Sequence, residues 1–429
     1  MIQFNALLIA FLALFLFRSL FQLALNLINV SHLRQHGDNV PRIFQGTVDR
    51  KKFSKIAAYT ADSTRFGIVA GFFDQAVLLA ILLTGFLPWF VEIITSWHTG
   101  FLGSGLIFFA VLAMIANLLD IPFGLYSTFV IEERYGFNTR TFTLWLSDWI
   151  KGMAISGILG GIVISVLLLL VQYLKDTWWL LAWVIISVFQ LLIMWLYPVL
   201  IAPLFNKFEP IPNKELENKI GTLMGKAGLT VKGVFKMDAG KRSKHTNAYF
   251  TGIGRTKRIV LFDTLLASHP EEEILSVLAH ETGHWVKKHV LKQLILLETA
   301  SLIGLFIVAR LLDWDLIYQT FGFQEQIKYV GLLLVPIVLS PLGYFMRPIG
   351  SALSRRYETE ADDVAVTLMG TAGPMKNTLI RLSADNLANL VPHPLFSWFN
   401  YSHPPPVQRI ARLDDTSSDP MMVSEAAVR

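Results

Sequence analysis

Cysteine is absent from the 429 residues. That excludes disulfides, thiolate metal sites and cysteine nucleophiles together, so any metal must be held by nitrogen and oxygen. Charge is scarce as well: Asp, Glu, Lys and Arg make up only 16% of the chain against 53% hydrophobic residues. That balance is too apolar for an ordinary soluble surface and points to an integral membrane protein. The first residues lack a basic stretch before their apolar run, which is too long for a signal, so no cleavable signal is expected. The net charge of +5 is concentrated in particular loops and reads as membrane topology rather than nucleic-acid binding. Internal repeats are not evident.

What is present is apolar runs. A span needs about 20 apolar residues, and seven stretches qualify: 4–28, 67–95, 101–129, 152–174, 178–204, 292–312 and 328–349. The loop from Asn29 to Phe66 carries seven Lys/Arg against three Asp, which predicts a cytoplasmic location. Alternation then puts the N-terminus outside and 130–151, 205–291 and 350–429 inside. Lys175 is the one basic residue in the outer loops. Short loops and the lack of a C-terminal retrieval signal favour a bacterial inner membrane, or the endoplasmic reticulum for a eukaryotic source. Polar groups recur inside the spans. Arg18, Gln22, Asn26 and Asn29 draw a stripe down one face of the first, and Asp74, Gln75, Asn117, Asp120 and Glu298 lie in others. Such groups face a bundle interior or water, so an aqueous space inside the bundle is expected.

Between the fifth and sixth spans, Lys214–Ala227 reads as a short amphipathic helix, and Val231–Met237, Asn247–Thr251 and Arg258–Phe262 as strands. Next comes a helix whose start is predicted by a capping box, Ser268 with Glu271, and by Pro270 in the first turn. The periodicity carries this helix unbroken through His280-Glu281-Thr282-Gly283-His284 into the apolar run Leu294–Leu312. His280 and His284 lie one turn apart, so both imidazoles project from one face and can grip one ion, with Glu281 beside them. Gly283 costs ~1 kcal/mol against alanine in a helix interior and makes sense if something approaches the backbone closely. Beyond the seventh span, Ser351–Met369 and a segment near Pro374–Leu390 are predicted helical, and the residues from Asp415 disordered.

A hydrolytic zinc site has three protein ligands and an exchangeable water. His284 stands roughly 15 Å along a helix from the sixth span, and Glu358 roughly 12 Å beyond the seventh. Antiparallel packing of the two would bring them to one height. Tyr357-Glu358-Thr359-Glu360-Ala361-Asp362-Asp363 offers four acids there, and geometry selects none of them. Glu358 and Asp362 share a helix face, so one can bind the metal while the other orients a histidine.

His280-Glu281-Thr282-Gly283-His284-Trp285, Ser354-Arg355-Arg356-Tyr357-Glu358-Thr359-Glu360-Ala361-Asp362 and His245-Thr246-Asn247-Ala248-Tyr249-Phe250 together resemble the type I CAAX prenyl endopeptidases, seven-span zinc proteases. Glu133-Arg134-Tyr135-Gly136-Phe137-Asn138, Arg258-Ile259-Val260-Leu261-Phe262-Asp263-Thr264-Leu265, and Phe396-Ser397-Trp398 followed by Ser402-His403-Pro404 extend the similarity over nearly the whole chain except its tail. The resemblance implies a mainly α, polytopic membrane fold in which seven transmembrane helices enclose an aqueous chamber, with a small α+β zincin-like domain on the cytoplasmic side. It implies one Zn²⁺ per chain. The family pattern Glu-x-x-x-Asp falls on Glu358 and Asp362, which makes His280, His284 and Glu358 the metal ligands. Glu281 becomes the general acid–base, and Asp362 either steadies a ligand imidazole or transfers a proton. His403, in a loop stiffened by three following prolines, is a candidate donor to the developing oxyanion. Asn247 and Ala248 are candidates for pairing with an extended substrate backbone.

The expected organisation is 1–204 for spans one to five, 205–291 for a soluble protease segment, 292–349 for spans six and seven, 350–414 for a second protease segment, and 415–429 for a disordered tail. The expected partners are a peptide or protein substrate, prenylated or not, and the lipid bilayer, with no nucleic acid. The implied reaction removes the C-terminal tripeptide of prenylated CaaX proteins. Membrane-protein quality control without a prenyl group is the alternative reading. A more distant one is a seven-span transporter or receptor with Asp74, Asp120 and Glu298 along its path.

Overall fold

The computed structural model describes residues 1–36, 39–251 and 258–418. Among the described residues, seven helices are long and apolar enough to cross a membrane: Ala6–His36, Arg50–Leu83, Gly100–Tyr135, Phe142–Tyr173, Trp178–Phe205, His289–Leu311 and Lys328–Phe345. The number expected from hydropathy is found, but the second span is displaced. Its helix starts at Arg50, where the Asp49 side chain caps the Lys52 amide at 2.6 Å, and it stops at Leu83. Gly85, with φ 81°, turns the chain into a separate short helix, Phe86–Ser96. Hydropathy merged the two because it registers apolarity and not a left-handed glycine between two apolar helices.

Each span packs against the next in the order one, two, three, four, five, six, seven, and the seventh returns to the first. The short helix and the ring contact of Phe73 with Phe123, at 4.9 Å, join the second span to the third. A filled bundle would bury an inward stripe on every helix. Here the most apolar stretches of the fifth and sixth spans contain no buried residue, and only 6% is buried in the second and fourth. The helices therefore form a hollow ring. One end is plugged by an apolar cluster that includes Phe11, Phe15, Leu82, Phe90, Phe108 and Tyr329. Of the first-span stripe, Asn29 is buried and accepts the His393 amide at 3.0 Å, and Arg18 lies 5.1 Å over the Tyr344 ring. Part of the stripe thus docks the seventh span and the C-terminal region.

The other end carries the soluble elements. The strands β1 (Phe208–Pro210), β2 (Gly233–Met237), β3 (Ala248–Thr251) and β4 (Arg258–Phe262) form one sheet in the order β1-β2-β4-β3. β2 and β4 are parallel, with Val234 opposite Ile259, while β3 pairs antiparallel with β4 and is an edge. β1 escaped the sequence reading because three residues carry no period. The helices are α1 (Lys214–Lys226), α2 (Asp263–Ser268), α3 (Glu271–Val286), α4 (Arg347–Met369), α5 (Gly373–Asp385), α6 (Pro394–Asn400) and α7 (Pro406–Ser418). Ile220, Ile259, Leu261, Leu265, Leu278, Ala279, Ala365 and Ile410 are fully buried in one core. That core draws on segments both before the sixth span and after the seventh.

Two expectations for α3 are corrected. The capping box is not formed: Ser268 ends α2, and its Oγ donates to the Thr264 carbonyl at 2.8 Å. Pro270 disfavours helical backbone at the residue before it, and His269 is extended, with φ −117° and ψ 140°. α3 starts instead at Glu271, with Glu271, Glu272 and Glu273 in its first turn favourably placed against the helix dipole. Nor does α3 run unbroken into the sixth span. It stops at Val286, Lys288 adopts φ 57°, and a new helix begins at His289. Towards the C-terminus, residues 415–418 of the expected disordered tail are helical, and 419–429 lie outside the described residues.

Candidate active site

α3 and α4 pack along their lengths, and Gly283 sets how close they come. A Cβ built there would sit 2.7 Å from Ala361 Cα and 2.8 Å from its carbonyl oxygen. The close approach anticipated for this glycine is the backbone of α4. Gly283→Ala is therefore expected to destabilise by about 1–3 kcal/mol through overpacking, although alanine has the better helix propensity by ~1 kcal/mol. Gly221 in α1 has open space around it, so Gly221→Ala is expected to stabilise slightly. Opposite shifts of the two melting temperatures would check this, and stabilisation by both changes would show that the contact is soft.

This packing faces His280 and His284 towards α4. The Nε2 atoms of the two histidines are 3.2 Å apart. Glu358 Oε2 lies 3.4 Å from His280 Nε2, and Glu358 Oε1 lies 3.4 Å from His284 Nε2. One ligand atom from each of the three lies within 4.8 Å of the others. Tetrahedral ligands held about 2.0–2.1 Å from a zinc ion are about 3.3 Å apart, so the residues fit a metal. Glu358 Oε2 is also buried without a hydrogen-bond donor among the described residues.

The four acids left open by the sequence are separated by what they touch. Glu358 faces the two imidazoles. Asp362 Oδ1 meets His280 Nδ1 at 2.8 Å. Glu360 Oε2 meets His289 Nε2 at 3.0 Å, and Asp363 pairs with Arg412. Burial opposes ionisation of Glu358, but the facing imidazoles of His280 and His284 hold it well below the usual carboxylate range. Burial likewise opposes ionisation of Asp362, and His280 and Arg409 override it. Burial would lower His280, yet Asp362 and Glu358 raise it to about 9. The site's field thus favours a positive charge between these groups. Glu281 is pushed up by burial, more than the neighbouring histidines pull it down.

His403 Nε2 is 3.2 Å from Glu358 Oε1, and its Nδ1 is 3.0 Å from Ser402 Oγ. The loop therefore brings it to the same carboxylate. A cavity of about 480 Å³ runs from His403 and Arg409 to Asn386. Asn386 in turn hydrogen-bonds Thr246 and His245, just before β3. Asn247 is exposed, its side chain accepting the Ala248 amide at 2.8 Å, while Ala248 is buried opposite Leu261. β3 is an edge strand and contacts α3.

Sequence reasoning missed Arg409 and His289. Arg409, from α7, donates to both Asp362 oxygens at 2.6 and 2.9 Å and reaches Glu358 Oε2 at 3.4 Å. It lies more than forty positions beyond the acids in a segment without a motif, so no local signal marks it.

Residues 29–207 match the family model described as CAAX prenyl protease N-terminal, five membrane helices, and residues 210–417 match peptidase family M48. The chain is 35% identical over 392 residues to CAAX prenyl protease 1 homolog of Arabidopsis thaliana, covering 87% of this chain and 90% of that one. It is 32% identical over 405 residues to CAAX prenyl protease 1 of Saccharomyces cerevisiae, covering 88% and 89%. The crystal structure of S. mikatae Ste24p superposes with a TM-score of 0.87 at 30% identity, covering 96% of this chain and 99% of that one. The chain is a multi-span membrane metalloendopeptidase acting on peptide or protein substrates, and it belongs to the CAAX prenyl protease family of M48 peptidases.

Proposed function

We propose that the protein is a zinc endopeptidase that removes the C-terminal tripeptide of prenylated CaaX proteins. One observation carries the chemistry: His280, His284 and Glu358 converge within 4.8 Å on the helix face that also bears Glu281. A zinc ion held by these three would supply a Lewis acid for the scissile carbonyl and an acidified water. Glu281, raised by burial, takes the proton from the attacking water and passes it to the departing amine. Asp362, against His280 Nδ1, would hold that imidazole in the tautomer whose bare Nε2 faces Glu358 and could bind the ion. His403, beside Glu358, donates to the carbonyl oxygen as it gains charge. Asn247 and Ala248 open the edge strand β3 along which an extended substrate would pair. The relatives' names supply the substrate class.

In this reading, 205–291 and 350–414 form one protease, interrupted in sequence by the spans within 292–349. The shared core of Leu278, Ala365 and Ile410 supports that division. The basic loop after the first span supports a protease on the cytoplasmic side and an N-terminus outside. A bacterial inner membrane remains the reading for the short loops, and the endoplasmic reticulum for a eukaryotic source.

The test is cleavage of matched farnesylated and unprenylated CaaX peptides by the purified protein, with products mapped by mass spectrometry. The expected result is loss of the last three residues, with a preference above tenfold for the prenylated peptide. Burial of only two methylenes at ~0.8 kcal/mol each suffices for that. Equal rates on both peptides, or cuts at unrelated positions, would favour a general membrane-protein protease instead.

A further inference from the structure

We infer that His289 is the positioning residue for His284, and that the break between α3 and the sixth span is the device that delivers it. The inference rests on the metal triad proposed above. His284 Nδ1 is 3.0 Å from His289 Nδ1, His289 Nε2 is 3.0 Å from Glu360 Oε2, and Glu360 Oε1 is 2.9 Å from Arg356 Nε. The His289 ring lies flat on Tyr357, with centroids 4.2 Å apart and planes 13° from parallel. Its side chain is only 1% exposed.

For a neutral His289, the hydrogens along this line can be placed in only one way. A carboxylate paired with arginine only accepts, so Glu360 requires the hydrogen of His289 on Nε2. A neutral His289 then presents a bare Nδ1, which can only accept from His284 Nδ1–H. His284 is thereby left with a bare Nε2, the atom that faces His280 and Glu358. Asp362, locked by Arg409, fixes His280 in the same way. Each histidine of the triad thus has its own carboxylate-anchored holder, direct for His280 and relayed through His289 for His284.

The helix break follows from the same geometry. In a continuous helix, residues five apart point about 140° away from each other, so His289 could not face His284. Lys288 at φ 57° folds the chain so that the first residue of the sixth span meets the last histidine of α3. A lysine in this conformation costs about 1–2 kcal/mol, and the buried His289 ring stacked on Tyr357 holds the chain there. The sixth span is therefore tied to the metal site by its first side chain.

The experiment measures zinc affinity of the full-length protein by competition with a chromophoric chelator, together with the visible spectrum of the cobalt-loaded protein. His289→Phe keeps a ring on Tyr357 but removes both hydrogen bonds. Affinity is expected to fall about 10–100-fold, with a changed cobalt d–d band and an unaltered melting temperature of the metal-free protein. His289→Gln, which keeps an acceptor and a donor, should bind several-fold more tightly than His289→Phe. Glu360→Ala, at a partly exposed position, should weaken binding in the same direction and add nothing further when combined with His289→Phe. Unchanged affinity in both His289→Phe and Glu360→Ala would overturn the assignment, and so would additive losses in the double variant. Glu358→Ala is the control for the triad itself. If it too binds zinc normally the triad reading fails, whereas if it alone is deficient only the His289 inference falls.

Discussion

Glu281→Gln is expected to retain about one zinc per chain and to lose peptidase activity by two to four orders of magnitude, the range for removing a positioned general base. The substitution is nearly isosteric, so α3 and its contact with α4 at Gly283 are undisturbed. Glu281 is not among the three residues whose ligand atoms converge, so the metal has no reason to leave. What is removed is a carboxylate in a position where burial raises its affinity for a proton. An amide cannot take the proton from water or return it to the amine, and the loss belongs in kcat while KM for peptide stays near its original value. Elemental analysis and steady-state kinetics on one preparation check both halves. Turnover at the parent rate would remove Glu281 from the mechanism, and loss of zinc would show that it holds the ion.

Much of this site was legible because its information is local. His280 and His284 sit one turn apart, and the helix period alone puts them on one face. Gly283 between them signalled a close neighbour through its cost. The number of spans followed from hydropathy, because the bilayer sets a length that composition can meet or fail. What was not legible is tertiary. Lys287-Lys288-His289 carries no Gly, Pro or Asn to mark a break, so the periodic reading joined α3 to the sixth span. The left-handed Lys288 is imposed by contacts of His289 that no sequence window contains. Ser268 and Glu271 satisfied a capping pattern, but Pro270 between them forces His269 to be extended and restarts the helix later. Arg409 arrives from α7 to lock Asp362, and its partner is set by folding alone. The four acids of α4 mimic an ordinary solvated face. Helix geometry paired Glu358 with Asp362, and the family pattern decided which of them is proposed as the metal ligand.

That choice makes the contrast between Glu358→Ala and Glu360→Ala the sharpest test of the site. Both remove one glutamate from the same helix two residues apart, so propensity and net charge change alike. Glu358→Ala deletes a ligand and also unmasks Arg409, whose Nη1 now lies 3.4 Å from the Glu358 carboxylate. Without that carboxylate a buried guanidinium faces the two imidazoles and repels any cation placed between them. If an apparent zinc binding free energy of about 10–16 kcal/mol is shared among three or four ligands, one ligand accounts for about 3–4 kcal/mol. Its loss therefore lowers affinity by at least about 10²–10³-fold. Zinc should be absent after dialysis against a weak chelator, and activity should vanish with it. Glu360→Ala leaves all three ligands in place and removes only the acceptor that orients His289. Its loss is held to the 10–100-fold typical of an outer hydrogen bond, and excess zinc in the assay should restore turnover. The reverse order, with zinc lost from Glu360→Ala and kept by Glu358→Ala, would transfer the third ligand to Glu360. It would also require α4 to turn by about 160° from the face it presents to α3, since residues two apart on a helix point about 200° around the axis.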